Sequence, residues 1–226
     1  MQPRPPVYGL DIETDTSVDG LDPAVGGIVT VALSGPDGDD VFDGPEPAML
    51  GALDARLAAL PPGVLATWNG AHFDLPFLAD RAAHHGVALG LRLTLDPRIP
   101  SRRDPLPGHD GAYRAWWHGH RHVDAYQLYR SDVGPVLGIS CSLKTIARLV
   151  GLAPIEVDRA RIHDLTPEAL AAYVVSDARL ARLLAERRAD AGYVTSRSQT
   201  DAIRGRRVGV GPDCHTPSVR SLPTGS

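Results

Sequence analysis

Tyr8-Gly-Leu-Asp-Ile-Glu-Thr14 runs as an apolar strand into a polar turn, with two acids spaced two residues apart. On an extended chain Asp11 and Glu13 leave one face while Ile12 points the other way, into a core. A second strand over residues 27–33 follows a Gly/Asp/Pro connection, and residues 40–43 give a short third strand after the turn Gly35-Pro-Asp-Gly38. Leu50, Leu53, Leu57 and Leu60 then recur at helical spacing until Pro61-Pro62 stops the helix. Residues 64–68 return to an apolar strand and residues 73–84 to a helix with Phe73, Phe77 and Leu78 on one side. Strands alternating with helices after an initial hairpin predict an α/β fold, a mixed sheet flanked by helices.

Further along, residues 86–121 read as an irregular segment, broken by prolines at 97, 100, 105 and 107. Arg92, Arg98, Arg102, Arg103, Arg114 and Arg121 are interleaved there with Tyr113, Trp116 and Trp117. Such a stretch could guide a single nucleic-acid strand, arginine tracking phosphate and the rings stacking bases; equally, the two tryptophans could tuck onto the domain. His118, His120 and His122 alternate, as zinc ligands on one strand face could, although such a run is more often ordinary surface. Residues 122–126 resemble another strand edge. Ser142 caps a short helix ended by Gly151. The last helix has Thr166 as N-cap, Pro167 in its first position, Glu168 complementing the dipole, and an apolar stripe of Leu170, Val174, Leu180 and Leu184. Residues 1–194 are thus expected to form one domain, and residues 195–226, rich in Ser, Arg, Gly, Pro and Thr, a disordered tail.

The bulk composition of the 226 residues, 43% hydrophobic and 22% charged, is that of an ordinary globular protein. No stretch approaches the roughly 20 apolar residues that span a bilayer, and the first strand starts too early for a signal peptide, so a cytoplasmic location is expected. Cys141 and Cys214 lack paired spacing, which excludes a disulfide scaffold. A net charge of −4 is unusual for a nucleic-acid protein, but carboxylates that await cations distort the sum. Lys144 is the only lysine; arginine supplies every other permanent side-chain cation.

Four acids lie in three separated patches: Asp11 and Glu13, Asp74 in Asn69-Gly-Ala-His-Phe-Asp74, and Asp177 in Tyr173-Val-Val-Ser-Asp177. Each patch has an ordinary explanation. Asp11 and Glu13 could be a solvated strand end, Asp74 the N-cap of a helix starting Leu75-Pro76, and Tyr173 with Asp177, four apart on one helix face, a surface pair. Brought together, four carboxylates would repel one another unless divalent cations neutralised them. A two-cation carboxylate site is suited to cutting phosphodiester bonds.

In this order and wording the patches resemble the motifs of the DEDDy 3′-5′ exonucleases, in particular the proofreading exonuclease domain of family B DNA polymerases. Asp11-Ile-Glu-Thr14, Asn69-Gly-Ala-His-Phe-Asp74 with Leu-Pro-Phe-Leu78, and Tyr173-Val-Val-Ser-Asp177-Ala178 are similar to the first, second and third motifs. His122-Val-Asp-Ala-Tyr126 and Ser142-Leu-Lys-Thr-Ile146 are weaker echoes, and Ala172 stands where the sister group carries its histidine. The resemblance covers roughly residues 7–190 and implies an RNase H-like fold; since 226 residues are too few to carry a polymerase domain as well, a stand-alone exonuclease is expected. It implies Asp11, Glu13 and Asp177 around one Mg²⁺ or Mn²⁺, and Asp11 with Asp74 around a second. Tyr173 would orient or deprotonate the attacking water, and Thr14, Asn69 and Phe73 would position the terminal nucleotides. The expected substrate is single-stranded nucleic acid, DNA before RNA, with hydrolysis from the 3′ end. The alternatives are an RNA exonuclease with the same site, a non-catalytic nucleic-acid-binding module, and an endonuclease on the same fold.

Overall fold

The computed structural model describes residues 4–101, 105–131 and 133–190. The expected tail at 195–226 lies outside the described residues. Three strands open the chain, β1 (Val7–Thr14), β2 (Ile28–Gly35) and β3 (Gly38–Phe42), followed by α1 (Glu46–Ala59), β4 (Val64–Thr67) and α2 (Asp74–His85). Next come β5 (Leu91–Leu95), β6 (Tyr113–Trp117) and β7 (His120–Asp124), then α3 (Ala125–Arg130), α4 (Val133–Leu137), α5 (Leu143–Leu149), a 3-10 turn and the long α6 (Pro167–Asp190). The seven strands form one sheet in the order β3-β2-β1-β4-β7-β6-β5. Strands β1, β4 and β7 run parallel, while β2, β3, β5 and β6 meet their neighbours antiparallel. This is the mixed sheet flanked by helices that the pattern of apolar runs predicts.

Segment 86–121 departs from that expectation, because it is only partly irregular. Leu91, Leu93 and Leu95 pair with Trp117, Ala115 and Tyr113, so a hairpin of β5 and β6 widens the sheet. Alternation with Arg92 and Thr94 marks the strand, but the prolines all fall in the loop between the two strands and dominate a reading by composition. Strand β7 also starts two residues earlier than expected, and Tyr126 belongs to α3 rather than to a strand edge.

The two faces of the sheet are packed differently. Leu10, Ile12, Val31, Leu33 and Leu65 join Leu50, Leu53 and Leu57 of α1, and Leu75, Phe77 and Leu78 of α2, in the main core. The opposite face is lined by small residues, Ala32 and Ala66, against Val174, Ala178 and Ala185 of α6. Gly9 sets how closely that helix approaches. A β-carbon added there would lie 1.9 Å from the carbonyl oxygen of Ala178, so any larger residue would force α6 away from β1. Ala178 follows Asp177, and Gly9 lies two residues before Asp11 on the same strand face. The glycine in the opening motif thus lets one carboxylate reach the others.

A polar clamp holds the connection between β1 and β2 against the helices. Glu46, at the start of α1, accepts hydrogen bonds from Arg81 at 2.6 and 2.9 Å and from the Ile28 amide at 2.9 Å. Arg81 also donates to the Pro23 carbonyl at 2.8 Å.

Candidate active site

One cleft of 540 Å³ opens at the carboxyl ends of β1 and β4, and Asp11, Glu13, Thr14, Asn69, Phe73, Asp74, Tyr173 and Asp177 all line it, whereas the described arginines and aromatic residues of segment 92–121 do not; Arg102 and Arg103 lie outside the described residues. Asp11 and Glu13 project from the end of β1, half-buried; Asp177, 3% exposed, and Tyr173, 2% exposed, face them from α6. One carboxylate oxygen from each of Asp11, Glu13 and Asp177 lies within 4.8 Å of the others. Oxygens sharing a cation of the size of Mg²⁺ lie up to about 4 Å apart, twice the metal–oxygen distance, so a small adjustment would close the three on one ion. The donor set is all-oxygen and anionic, which fits Mg²⁺ or Mn²⁺.

Asp74 is not an N-cap. It is the first residue of α2, Phe73 takes the cap position without a side-chain bond, and the buried Asp74 carboxylate accepts from its own amide and from that of Ile12. It therefore ties α2 to β1 beside the other acids.

Burial and crowding leave these carboxylates short of positive charge. Asp11 has its pKa raised well above the ordinary carboxylate range, first by burial and then by Glu13, Asp74 and Asp177. Asp74 is pushed up to about 7 by burial, with Asp124 and Asp177 adding to it against the two amides. A site with this affinity for protons has affinity for other cations too.

One cation is already present. Lys144, near the start of α5, pairs through its ammonium with Asp177 and lies 4.6 Å from the centre of the Tyr173 ring. Nothing in the acidic motifs points to it. The available signal is that a chain which uses arginine everywhere else keeps a single lysine, in the helix capped by Ser142.

Asp124, which lies in the weaker echo at 122–126 as Lys144 lies in that at 142–146, is the second residue to which the motifs assigned no role. Its carboxylate accepts from the amides of Asn69 at 2.8 Å, Ala71 at 3.2 Å and Tyr126 at 3.0 Å, and burial pushes its pKa up to about 6 despite these donors. It thereby holds the turn after β4, where Asn69 adopts a left-handed φ of 73° and a β-carbon on Gly70 would strike Thr67. Asn69 and Phe73 are carried into the cleft by this turn. Thr14 also lines the cleft, and its hydroxyl donates to the Gly20 carbonyl at 2.7 Å, shaping the loop after β1.

The histidine run does not form a metal site. His118 pairs with Asp54 at 3.0 Å, His120 bonds the Leu57 carbonyl at 2.8 Å and His122 bonds Thr67 at 2.8 Å, three separate places. Of the two tryptophans, Trp117 is buried with its indole donating to Asp54 at 2.7 Å. Trp116 is 46% exposed and stands in register between Arg92 and Arg121.

The same fold occurs in a solved family B DNA polymerase from the hyperthermophilic archaeon Pyrobaculum calidifontis. The TM-score is 0.61 at 22% identity, over 83% of this chain and 25% of the other. The fold is polymerase-related. In sequence, the chain is 32% identical over 128 residues to a DNA polymerase epsilon catalytic subunit of Arabidopsis thaliana, covering 55% of this chain and 5% of the relative. It is 33% identical over 150 residues to the corresponding catalytic subunit of Schizosaccharomyces pombe, covering 61% of this chain and 6% of the relative. The chain thus spans about a twentieth of the length of the curated relatives it matches. No family model matches it. Among the described residues no helix is long and apolar enough to cross a membrane.

Proposed function

We propose that this chain is a 3′-5′ exonuclease that hydrolyses single-stranded DNA with the aid of two divalent cations. The convergence of Asp11, Glu13 and Asp177 within 4.8 Å, in a cleft that also holds Asp74 and Tyr173, carries this reading. Similarity to DNA polymerase catalytic subunits supports a DNA-directed role and favours DNA over RNA as the polymer.

In this reading Asp11, Glu13 and Asp177 would hold one cation, and Asp11 and Asp74 would help to hold the other. When bound, such cations supply an activated water and neutralise charge on the phosphate and on the departing 3′ oxygen. The protein's own groups do the positioning. Tyr173, fixed in α6 beside Asp177, directs its hydroxyl at the attacking water; since a phenol ordinarily titrates near pH 10, orientation suits it better than proton abstraction. Phe73, tilted against Phe77 at 5.3 Å, and Asn69 both line the cleft and would position the terminal nucleotide, Phe73 by stacking on its base.

The test is a time course on matched single-stranded DNA and RNA oligomers labelled at the 5′ end, with Mg²⁺, Mn²⁺ or EDTA. A ladder shortening from the 3′ end and lost in EDTA is expected, with DNA cut faster. Asp11→Ala should lower the rate roughly 10³-fold, the equivalent of several kcal/mol of lost charge stabilisation. Tyr173→Phe should cost about 10²-fold or less. Intact oligomers under every condition would overturn the assignment, and faster cutting of RNA would change the substrate.

A further inference from the structure

The cleft extends well past the carboxylates, and its far wall has no role in the chemistry so far described. Register places that wall. Gly9 of β1 pairs with Ala66 of β4, and Ala66 with Val123 of β7, so that two residues further on Asp11, Trp68 and Ala125 stand level, although β1 itself runs on to Thr14. Asp11 and Glu13 stand at the first strand end, Trp68 just past the second, and Tyr126 just past the third, at the start of α3. With strands about 4.8 Å apart, Tyr126 is displaced by roughly 10 Å across the sheet from the acids, the scale of a neighbouring nucleotide.

The wall is aromatic and basic. Trp68 and Tyr126 meet edge to face, centroids 6.0 Å apart, and Trp68 is backed by the buried Tyr129 at 5.7 Å. Arg130, one helical turn beyond Tyr126, places its guanidinium 5.8 Å from the centre of the Tyr126 ring. Its guanidinium has no carboxylate partner among the described residues, and among these it is the only arginine lining a cleft otherwise crowded with acids. The wall is also rigidly placed, because one Asp124 oxygen accepts both the Asn69 amide, next to Trp68, and the Tyr126 amide.

We propose that Trp68, Tyr126 and Arg130 form a subsite for the nucleotide on the 5′ side of the scissile phosphate. The base lies on the Tyr126 and Trp68 rings, and Arg130 takes the phosphate that this nucleotide shares with the rest of the strand. A strand crossing an acidic cleft needs one fixed cation and a sequence-tolerant stacking surface, and this wall supplies both. The subsite rests on the exonuclease reading of the cleft.

Two substrates separate the two claims. The p-nitrophenyl ester of thymidine 5′-monophosphate supplies a terminal nucleotide and its phosphate without any 5′ neighbour; an oligothymidylate supplies both. For Tyr126→Ala and Arg130→Ala, the loss in kcat/KM on the oligomer should exceed the loss on the ester by about tenfold or more, the range expected for one stacked base or one phosphate contact. Arg130→Lys should recover part of the difference. Arg130→Ala should also flatten the dependence of log Kd on log salt for the oligomer by about 0.7, one phosphate contact on a single strand. Equal losses on ester and oligomer, or no loss on either, would overturn the subsite while leaving the nuclease intact. If the unsubstituted protein cuts neither substrate, the nuclease reading fails. Fluorescence anisotropy with the oligothymidylate then decides the subsite: weaker binding by both variants supports it, and unchanged binding overturns it.

Discussion

Replacing Asp74 by Asn should stabilise the cation-free protein at neutral and alkaline pH and do little for it in acid. Burial and the neighbouring Asp124 and Asp177 raise the Asp74 pKa from 3.8 to about 7 in the folded chain. Between those values the folded state keeps a proton that the unfolded chain releases, so stability falls as pH rises through that window. The loss accumulates at about 1.4 kcal/mol per pH unit, to about 4 kcal/mol above pH 7. Asparagine keeps the shape and an oxygen for the Ile12 amide but carries no charge, so it escapes this loss. It also lightens the load on Asp11, whose raised pKa owes part of its shift to Asp74. Calorimetric melts in EDTA at about pH 5 and about pH 8 bracket the steep part of the titration, where the difference amounts to about 3 kcal/mol. For a domain of this size that corresponds to a gain in Tm roughly 5–10 °C larger at the higher pH. Added Mn²⁺ should stabilise the unsubstituted protein more than the variant, since a bound cation relieves the same repulsion. A Tm change of the same sign and size at both pH values would refute the reasoning, for it would mean that Asp74 acts through packing and not through its charge.

Lys144→Met should tighten Mn²⁺ binding to the substrate-free protein, measured by titration calorimetry, because the ammonium on Asp177 competes with the cation; weaker or unchanged binding would contradict this. The same substitution should lower the Tm in EDTA, since it strips the partner from a buried carboxylate. Glu46→Gln tests the clamp far from the cleft. Burial alone would raise the Glu46 pKa, but Arg81, the Ile28 amide and His85 hold it at about 2. Its charge therefore contributes stability that is complete above the ordinary carboxylate pKa and disappears as pH falls through about 2. The expected cost of Glu46→Gln near neutral pH is about 3 kcal/mol, read by urea denaturation and shrinking in acid.

Much of the architecture was legible because its signals are local. Apolar alternation marks β1 and β2, a 3.6-residue stripe marks α6, and Thr166-Pro167 marks where α6 begins. The acids were legible for a different reason, since the motif wording around Asp11, Asp74 and Asp177 links positions that no local rule connects. Asp74 shows the limit of such rules. An acid before Leu-Pro at a helix start reads as a cap, and only the sheet packed above it reveals that its carboxylate faces β1. Lys144 and Asp124 fall in the two weaker echoes, but their roles were hidden because these come from what the fold places against them, Asp177 in one case and three backbone amides in the other. The hairpin of β5 and β6 was hidden by the composition of its own loop.

The acid cluster and the packing of α6 are best understood as one device. Like charges crowded at the end of β1 push against Asp177 on α6, yet small residues at that interface, Gly9 above all, bring the helix closer than a bulkier surface would allow. Val174 and Ala178 pack on the sheet at Ala32, while Leu180 and Leu184 pack against Tyr129 of α3 and Leu143 and Ile146 of α5, apolar contacts that hold α6 in place independently of the acids. Apolar packing along the rest of the helix can therefore hold together charges that would separate if the same residues lay on a loop. Raised pKa values at Asp11 and Asp74 are the visible mark of that constraint, and they give the cleft its demand for positive charge. In the cation-free protein Lys144 meets part of that demand at Asp177, from a helix that borders the cleft. In the proposed reaction a cation arriving with substrate would compete with that ammonium for the same oxygen, so Lys144 would have to give way.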